Sequence, residues 1–292
     1  MGNKLSVIML TLNEEVNIAH AINSVKGWVE EIIILDSGST DRTVKLAESM
    51  GAKVFHRTFD NYANQRNYAI AELPVQSEWI FFLDADEYAT SELKNEIDAV
   101  IKENNFDGFY IKFRFYFLNR WIKHGGYYPT WILRLFKKDK ASVSRGMNEH
   151  IIIDGKVGYL KNDFMHKDNK GLTEWIAKHK RYAAFEAEEL IKFKERKAEG
   201  RRDEFADLKG SQAQKKRWIR ENIWNPLMPP LIRPFIYYFY RYIIRLGFLD
   251  GKAGLVYHYL QGLWYPLLID IKYLELKRKR SGKFTPSNSL RL

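Results

Sequence analysis

The first hundred residues alternate two kinds of apolar patterning. Short continuous apolar runs, KLSVIMLTL, EIIILD, AKVFH and EWIFFLDAD, are interleaved with EVNIAHAINSVK, DRTVKLAESM and NYANQRNYAIAEL, in which apolar residues recur at three and four. Continuous runs suit strands covered on both faces, and three–four spacing suits helices that bury one stripe. The alternation predicts an α/β domain, a mostly parallel sheet with crossover helices. The first two strands end in polar residues where the chain turns into a helix, and Ser39 or Thr40 is placed to cap the second helix. In open sheets of this kind, ligands bind at the carboxyl ends of the strands.

After Thr90 the pattern predicts a helix near Ser91 to Asn104, then β-rich segments FDGFYIKFRFYFL, WILRLFKK and HIIIDGKVGYL that complete the same domain. From about Leu172 the chain becomes helical and densely charged, and from Pro226 it carries aromatic-rich helices that close on Lys277, Arg278, Lys279, Arg280 and Lys283. The expected organisation is an α/β domain over 1–170, divided into halves 1–90 and 91–170. A charged helical segment follows over 171–225, then aromatic and basic helices over 226–292 that associate with a membrane or with another copy.

A chain of 292 residues with 46% hydrophobic and 15% aromatic content can bury a sizeable core, which rules out wholesale disorder. It has no cysteine, which excludes disulfides, thiolate metal sites and a cysteine nucleophile. The net charge of +11 is unevenly placed: residues 1–150 carry 18 Lys/Arg against 20 Asp/Glu, and residues 151–292 carry 29 against 16. The second half is therefore expected to meet any polyanion. The apolar run Leu5 to Leu12 ends at once in Asn13, Glu14 and Glu15, so no export signal is expected, and MGNKLS is read as a chance match to an acylation pattern. The window Leu255 to Ile271 is interrupted by His258, Gln261, Pro266 and Asp270, a poor span. In Leu231 to Phe248, Arg233, Arg241 and Arg245 fall within an arc of about 120°, which suits a helix lying on a membrane.

Three clusters can carry chemistry. Asp84-Ala85-Asp86-Glu87 follows the strand Trp79 to Leu83; its spaced carboxylates suit a divalent cation bridging nucleotide phosphates, and equally an acidic turn that solvates a strand end. Asp36-Ser37-Gly38-Ser39-Thr40-Asp41 ends the second strand, where Asp36 can accept hydrogen bonds from a base or ribose. Arg66, within Asn64-Gln65-Arg66-Asn67, faces either a nucleotide or solvent. Neither a G-x-G-x-x-G fingerprint nor a Walker A loop occurs.

Taken in order, Thr11-Leu12-Asn13-Glu14, the LDSGSTDRT turn, the NQRNYAI helix and DADE resemble the nucleotide-sugar-binding half of family 2 glycosyltransferases, which have the GT-A fold. That resemblance covers roughly residues 4–90. It implies that Thr11, Asn13 and Glu14 lie near the base, that Asp36 binds it, that Arg66 supports the nucleotide, that Asp84 contacts ribose or metal, and that Asp86 holds the metal. Many members have two adjacent aspartates at the second strand end, where this chain has Ser37. YPTWILRLFKK, GMNEH, FMHKDNKG, EWIAKHKRY and RPFIYYFYRYIIRLGFLDGKAG extend the resemblance to lipopolysaccharide core glucosyltransferase-like and related surface-glycan enzymes.

The resemblance implies an inverting hexosyl transfer from a nucleoside-diphosphate sugar, with UDP as the expected nucleotide, to a glycan or lipid-linked glycan. It implies Mg2+ or Mn2+ at Asp86, with His166 completing the site. Inversion requires a base for the acceptor hydroxyl; Glu149 in GMNEH is the expected one, with His150 and Glu87 as competitors. Arg134 and Lys178 are candidates to meet phosphate, and Trp131 to stack on a sugar. The expected location is peripheral, on the cytoplasmic face of the inner membrane, against an anionic surface. Two other readings remain open at this level: a catalytically inactive sugar-nucleotide-binding module, and a nucleic-acid-binding protein suggested by the high pI but unsupported by any recognition motif.

Overall fold

The computed structural model describes residues 5–144, 150–200 and 206–281. They fall into two compact units, one built from Met1–Lys123 with Tyr127–Lys170 and one from His124–Gly126 with Gly171–Leu292.

The first unit begins with the predicted alternation: β1 (Leu5–Thr11), α1 (Ile18–Val25), β2 (Glu31–Asp36), α2 (Thr43–Ser49), β3 (Lys53–His56), α3 (Tyr62–Ala71) and β4 (Trp79–Phe82). It continues through β5 (Glu87–Tyr88), α4 (Ser91–Glu103), β6 (Gly108–Phe117), β7 (Arg120–Trp121) and β8 (Trp131–Lys137). A pair of strands, β9 (Ala141–Ser144) and β10 (His150–Ile153), precedes β11 (Val157–His166). The main sheet runs β3-β2-β1-β4-β8-β6-β11-β5, with β7 paired to β6. β1 to β4 are mutually parallel, β8 is antiparallel to β4 and β6, and β11 runs parallel to β6. This is a mostly parallel, mixed α/β sheet, as expected from the GT-A resemblance.

Every residue of β2 and β4 is buried, as continuous apolar strands between two layers require, whereas β6 alternates between buried and half-buried positions. Ile8, Ile33, Ile80 and Phe82 pack with Ala69 and Ile70 of α3 and with Phe136 of β8. The β-rich segment HIIIDGKVGYL holds two strands: β10 pairs with β9 in a separate two-stranded sheet, and β11 joins the main sheet. The cap of α2 differs from expectation. α2 starts at Thr43 behind Arg42, which makes no side-chain cap; Asp41 Oδ1 accepts the Thr43 amide at 2.9 Å, and Ser39 donates its hydroxyl to Asp36 instead.

The second unit is helical: α5 (Gly171–Ala198), α6 (Gln212–Ile219), α7 (Asn225–Leu227), α8 (Arg233–Phe239), α9 (Gly251–His258) and α10 (Tyr265–Arg280), with π-helical turns at Arg220–Trp224, Tyr240–Ile244 and Tyr259–Trp264. Ser211 and Gln214 form a reciprocal capping box at the start of α6. Ala187, Leu190 and Ile191 of α5 pack on Tyr273 of α10. Among the described residues no helix is long and apolar enough to cross a membrane.

The arc of arginines expected to face a membrane is largely turned inward. Arg233 is buried and forked onto Asp270, with Nε 2.9 Å from Oδ1, and its Nη1 donates to Asn225. Arg241 is buried too, its Nε donating to the Gly125 carbonyl at 3.0 Å and its guanidinium lying over the rings of Tyr237 and Tyr257. Helical spacing placed the three charges on one side without saying which side faces the core. At Gly125 the backbone has φ +74°, and a Cβ would meet His258 Cε1 at 2.0 Å, so the position admits only glycine.

Candidate active site at the carboxyl ends of the strands

Asp36, the last residue of β2, is buried and receives four hydrogen bonds. Thr11 Oγ1 donates to it at 2.8 Å, the Gly38 and Ser39 amides at 2.9 and 2.7 Å, and Ser39 Oγ at 2.5 Å. Burial alone would raise the Asp36 carboxyl, but the Ser39, Thr11 and Gly38 donors outweigh it and hold the group below the usual carboxylate range. Gly38 has φ +98°, which lets the turn fold its amide back onto the carboxylate.

The β1 end is fastened to this turn. Asn13, at φ 54°, receives Thr40 N on its Oδ1 at 2.8 Å and donates its own amide to Ser39 Oγ at 2.8 Å. Glu14 lies beside Lys170, which donates to Oε1, and Asn17, which donates to Oε2 at 2.9 Å. Burial pushes the Glu14 carboxyl up despite those partners. Asn17 Nδ2 also reaches Asp168 at 3.0 Å, so the segment after β11 closes over the first strand end.

Beyond β4 the chain turns through Asp84-Ala85-Asp86-Glu87. Arg134 sits on β8, one position from the Leu135–Phe81 pair, and is buried; its Nη2 donates to Asp84 Oδ2 at 2.6 Å and to Glu87 Oε1 at 2.7 Å. Arg66, from α3, approaches Asp84 Oδ1 at 3.4 Å with its guanidinium over the Phe82 ring. Burial would raise the Asp84 carboxyl, and the two guanidinium groups overcome this and keep it below the usual range. Glu87 has the opposite balance: burial lifts its carboxyl to about 7 against the pull of Arg134. Glu87 Oε2 also accepts the Asp84 amide at 2.9 Å.

Asp86 faces another partner. Its Oδ2 lies 3.1 Å from His166 Nε2, at the end of β11, and its carbonyl accepts the Lys167 amide at 2.8 Å. The chain brings Asp86 and His166, the residues expected at a metal, together across 80 residues. Among the described residues no group of three or more His, Asp or Glu side chains is arranged to hold a metal. A carboxylate beside an imidazole still fits a divalent cation that takes its remaining ligands from phosphate and water.

The other expected residues divide. Arg134, expected at phosphate, is spent on Asp84 and Glu87. Trp131 stands at the start of β8, with Lys112 Nζ 5.5 Å over its ring and Tyr159 edge-on. Lys178 lies on α5 in the second unit, its Nζ 6.0 Å from the Tyr182 ring. Glu149 lies outside the described residues, in the segment bracketed by the Ser144–His150 pair of β9 and β10. Glu87, a competitor for the base role, is buried, with its two oxygens engaged by Arg134 and the Asp84 amide. Residues not anticipated at the site are Ser39, which orients Asp36, and Lys170, which holds Glu14. Ser39 was legible only as a cap, and Lys170 lies 156 residues from its partner.

The family model described as glycosyl transferase family 2 matches residues 6–166, which includes every strand end described above. An uncharacterized glycosyltransferase of Rickettsia felis is 31% identical over 206 residues, covering 65% of this chain and 71% of the relative. The lipopolysaccharide core biosynthesis glycosyltransferase LpsC of Rhizobium meliloti is 26% identical over 201 residues, covering 64% of this chain and 72% of its own. Among solved structures, glucosyl-3-phosphoglycerate synthase of Mycobacterium tuberculosis is 26% identical with a TM-score of 0.33, over 39% of this chain and 45% of that one.

Proposed function

Since this chain belongs to glycosyl transferase family 2 and is a glycosyltransferase, we propose that it moves a hexose, with inversion, from a UDP-sugar to a glycan or lipid-linked glycan of the cell surface. The observation that carries the donor side is the buried, ionised Asp36 at the β2 end, oriented by Thr11, Ser39 and Gly38. An ionised carboxylate in that position accepts the imide N–H of a uracil ring once the Ser39 hydroxyl, one of its four donors, turns away from it. Ser37, where many members have a second aspartate, has its hydroxyl oriented by Gln65 Nε2 at 3.0 Å and leaves the Asp36 contact intact.

The ribose and diphosphate then run toward Asp84 and Asp86. Arg134 and Arg66 keep Asp84 ionised and in place, so it can accept ribose hydroxyls without rearranging. Asp86 and His166 would hold a Mg2+ or Mn2+ ion, which supplies charge neutralisation as the diphosphate departs. Glu149 takes the proton of the acceptor hydroxyl as it attacks the anomeric carbon from the face opposite UDP. Trp131 offers an aromatic face to the acceptor sugar. The surface-glycan acceptor class rests on the likeness to LpsC and on the sequence features of the second half.

A panel of nucleotide sugars, assayed for nucleotide release with and without divalent cation, tests the donor reading. Release from a UDP-hexose that depends on cation supports it; preference for a non-uridine donor removes the Asp36–uracil contact from the account.

A further inference from the structure

The segment from Ile232 to Ile244 is turned inside out compared with a helix packed in a soluble domain. Ile232, Phe235, Ile236, Phe239, Ile243 and Ile244 recur at three and four residues, and all are exposed. Phe235, Phe239 and Ile244 are 55%, 56% and 59% exposed, among the most open large apolar side chains in the protein. The opposite side holds the charge: Arg233 on Asp270 and Arg241 on the Gly125 carbonyl, both buried within the unit. An ordinary amphipathic helix would place these two sets the other way round. Leu227 on α7, 69% exposed, and Leu255 on α9, 46%, continue the apolar exposure onto neighbouring helices.

We propose that this face docks in the interfacial layer of a bilayer rich in anionic phospholipid, with the Ile232–Ile244 segment lying in the membrane plane. No helix among the described residues is long and apolar enough to span, so the apolar stripe enters one leaflet and does not cross. Charge decides between a bilayer and a second copy of the chain. The whole chain carries +11, and residues 151–292 carry 29 Lys/Arg against 16 Asp/Glu. Two copies docked through this face would bring like charges together, whereas an anionic leaflet supplies the opposite sign. Arg245 follows the stripe directly and is exposed, as are Lys252 and the run Lys277 to Arg280.

The proposal does not depend on the identity of the donor sugar. Its test is flotation of the full-length protein with phosphatidylcholine vesicles, with and without phosphatidylglycerol, at low and high salt. The wild type is expected to float with the anionic vesicles and much less with phosphatidylcholine alone. Phe235→Ser/Phe239→Ser is expected to lose vesicle affinity by about tenfold or more, while keeping its helical circular dichroism and its UDP binding. Failure of the wild type to float, or undiminished flotation of the folded double variant, overturns the proposal. So does a dimer in sedimentation equilibrium that the double variant dissociates in the absence of any lipid binding. Loss of UDP binding by the wild type would count against the donor site and leave the flotation result standing.

Discussion

Arg134 donates to Asp84 at 2.6 Å from a buried position on β8, and the same nitrogen reaches Glu87 at 2.7 Å. One cation therefore serves two carboxylates of the DADE turn and leaves Asp86 to face His166. Without it, only Arg66, 3.4 Å from Asp84, would offset the two carboxylates. Removing one member of a buried ion pair typically costs about 3–5 kcal/mol, so Arg134→Met is expected to lower stability by an amount of that order in urea denaturation. Arg134→Lys should recover only part of the loss, because an ammonium cannot reproduce the geometry of the guanidinium.

Asp36 gives a pH signature. Its folded-state carboxyl lies below the usual range, so its contribution is fully present above the unfolded value of about 3.9 and is lost as pH falls through the folded value. In Asp36→Asn, thermal stability should fall less steeply with acid than in the wild type. The same variant should bind UDP about tenfold or more weakly, as expected for loss of one charge-assisted hydrogen bond. Melting curves across acid pH and calorimetric titration with UDP measure the two effects separately.

Asp86 and His166 come from distant segments yet meet at 3.1 Å. Chelation of divalent cations should abolish turnover, and Mn2+ should restore it. Asp86→Ala should lower turnover by about 10²–10³, the range for loss of one preorganised electrostatic element. His166→Ala should weaken Mn2+ binding in the presence of UDP by about 10-fold or more. Unchanged Mn2+ affinity in both variants would remove these residues from the metal role.

In the helical unit, Asp270 is fully buried against Arg233 and also accepts the Leu231 amide at 2.9 Å. Asp270→Ala strands a guanidinium, and a loss of about 3–5 kcal/mol is expected. Intrinsic tryptophan fluorescence during denaturation checks it, since Trp224 stands one residue before Asn225, which bonds the same guanidinium.

The strand ends could be read from the sequence because their signals are local. Thr11, Asp36 and Asp84 each sit where an apolar run stops, and parallel topology brings those stops to one edge. Arg134 could be named but not placed: its partners lie 50 and 47 residues earlier, on a strand whose antiparallel pairing with β4 no spacing announces. Arg233 and Arg241 show the same limit in a helix. Three–four spacing grouped them correctly, but only Asp270 and the Gly125 carbonyl, 37 and 116 residues away, determine that the group faces inward.

The central claim, inverting transfer from a UDP-hexose, is tested most directly by following the anomeric proton of the released sugar by NMR at early times. With UDP-α-glucose or another UDP-α-hexose that the protein accepts, and divalent cation present, the β-anomer is expected to appear first, before mutarotation, and Asp86→Ala is expected to slow its release by about 10²–10³. Initial release of the α-anomer, or no turnover of any nucleotide sugar, would contradict it.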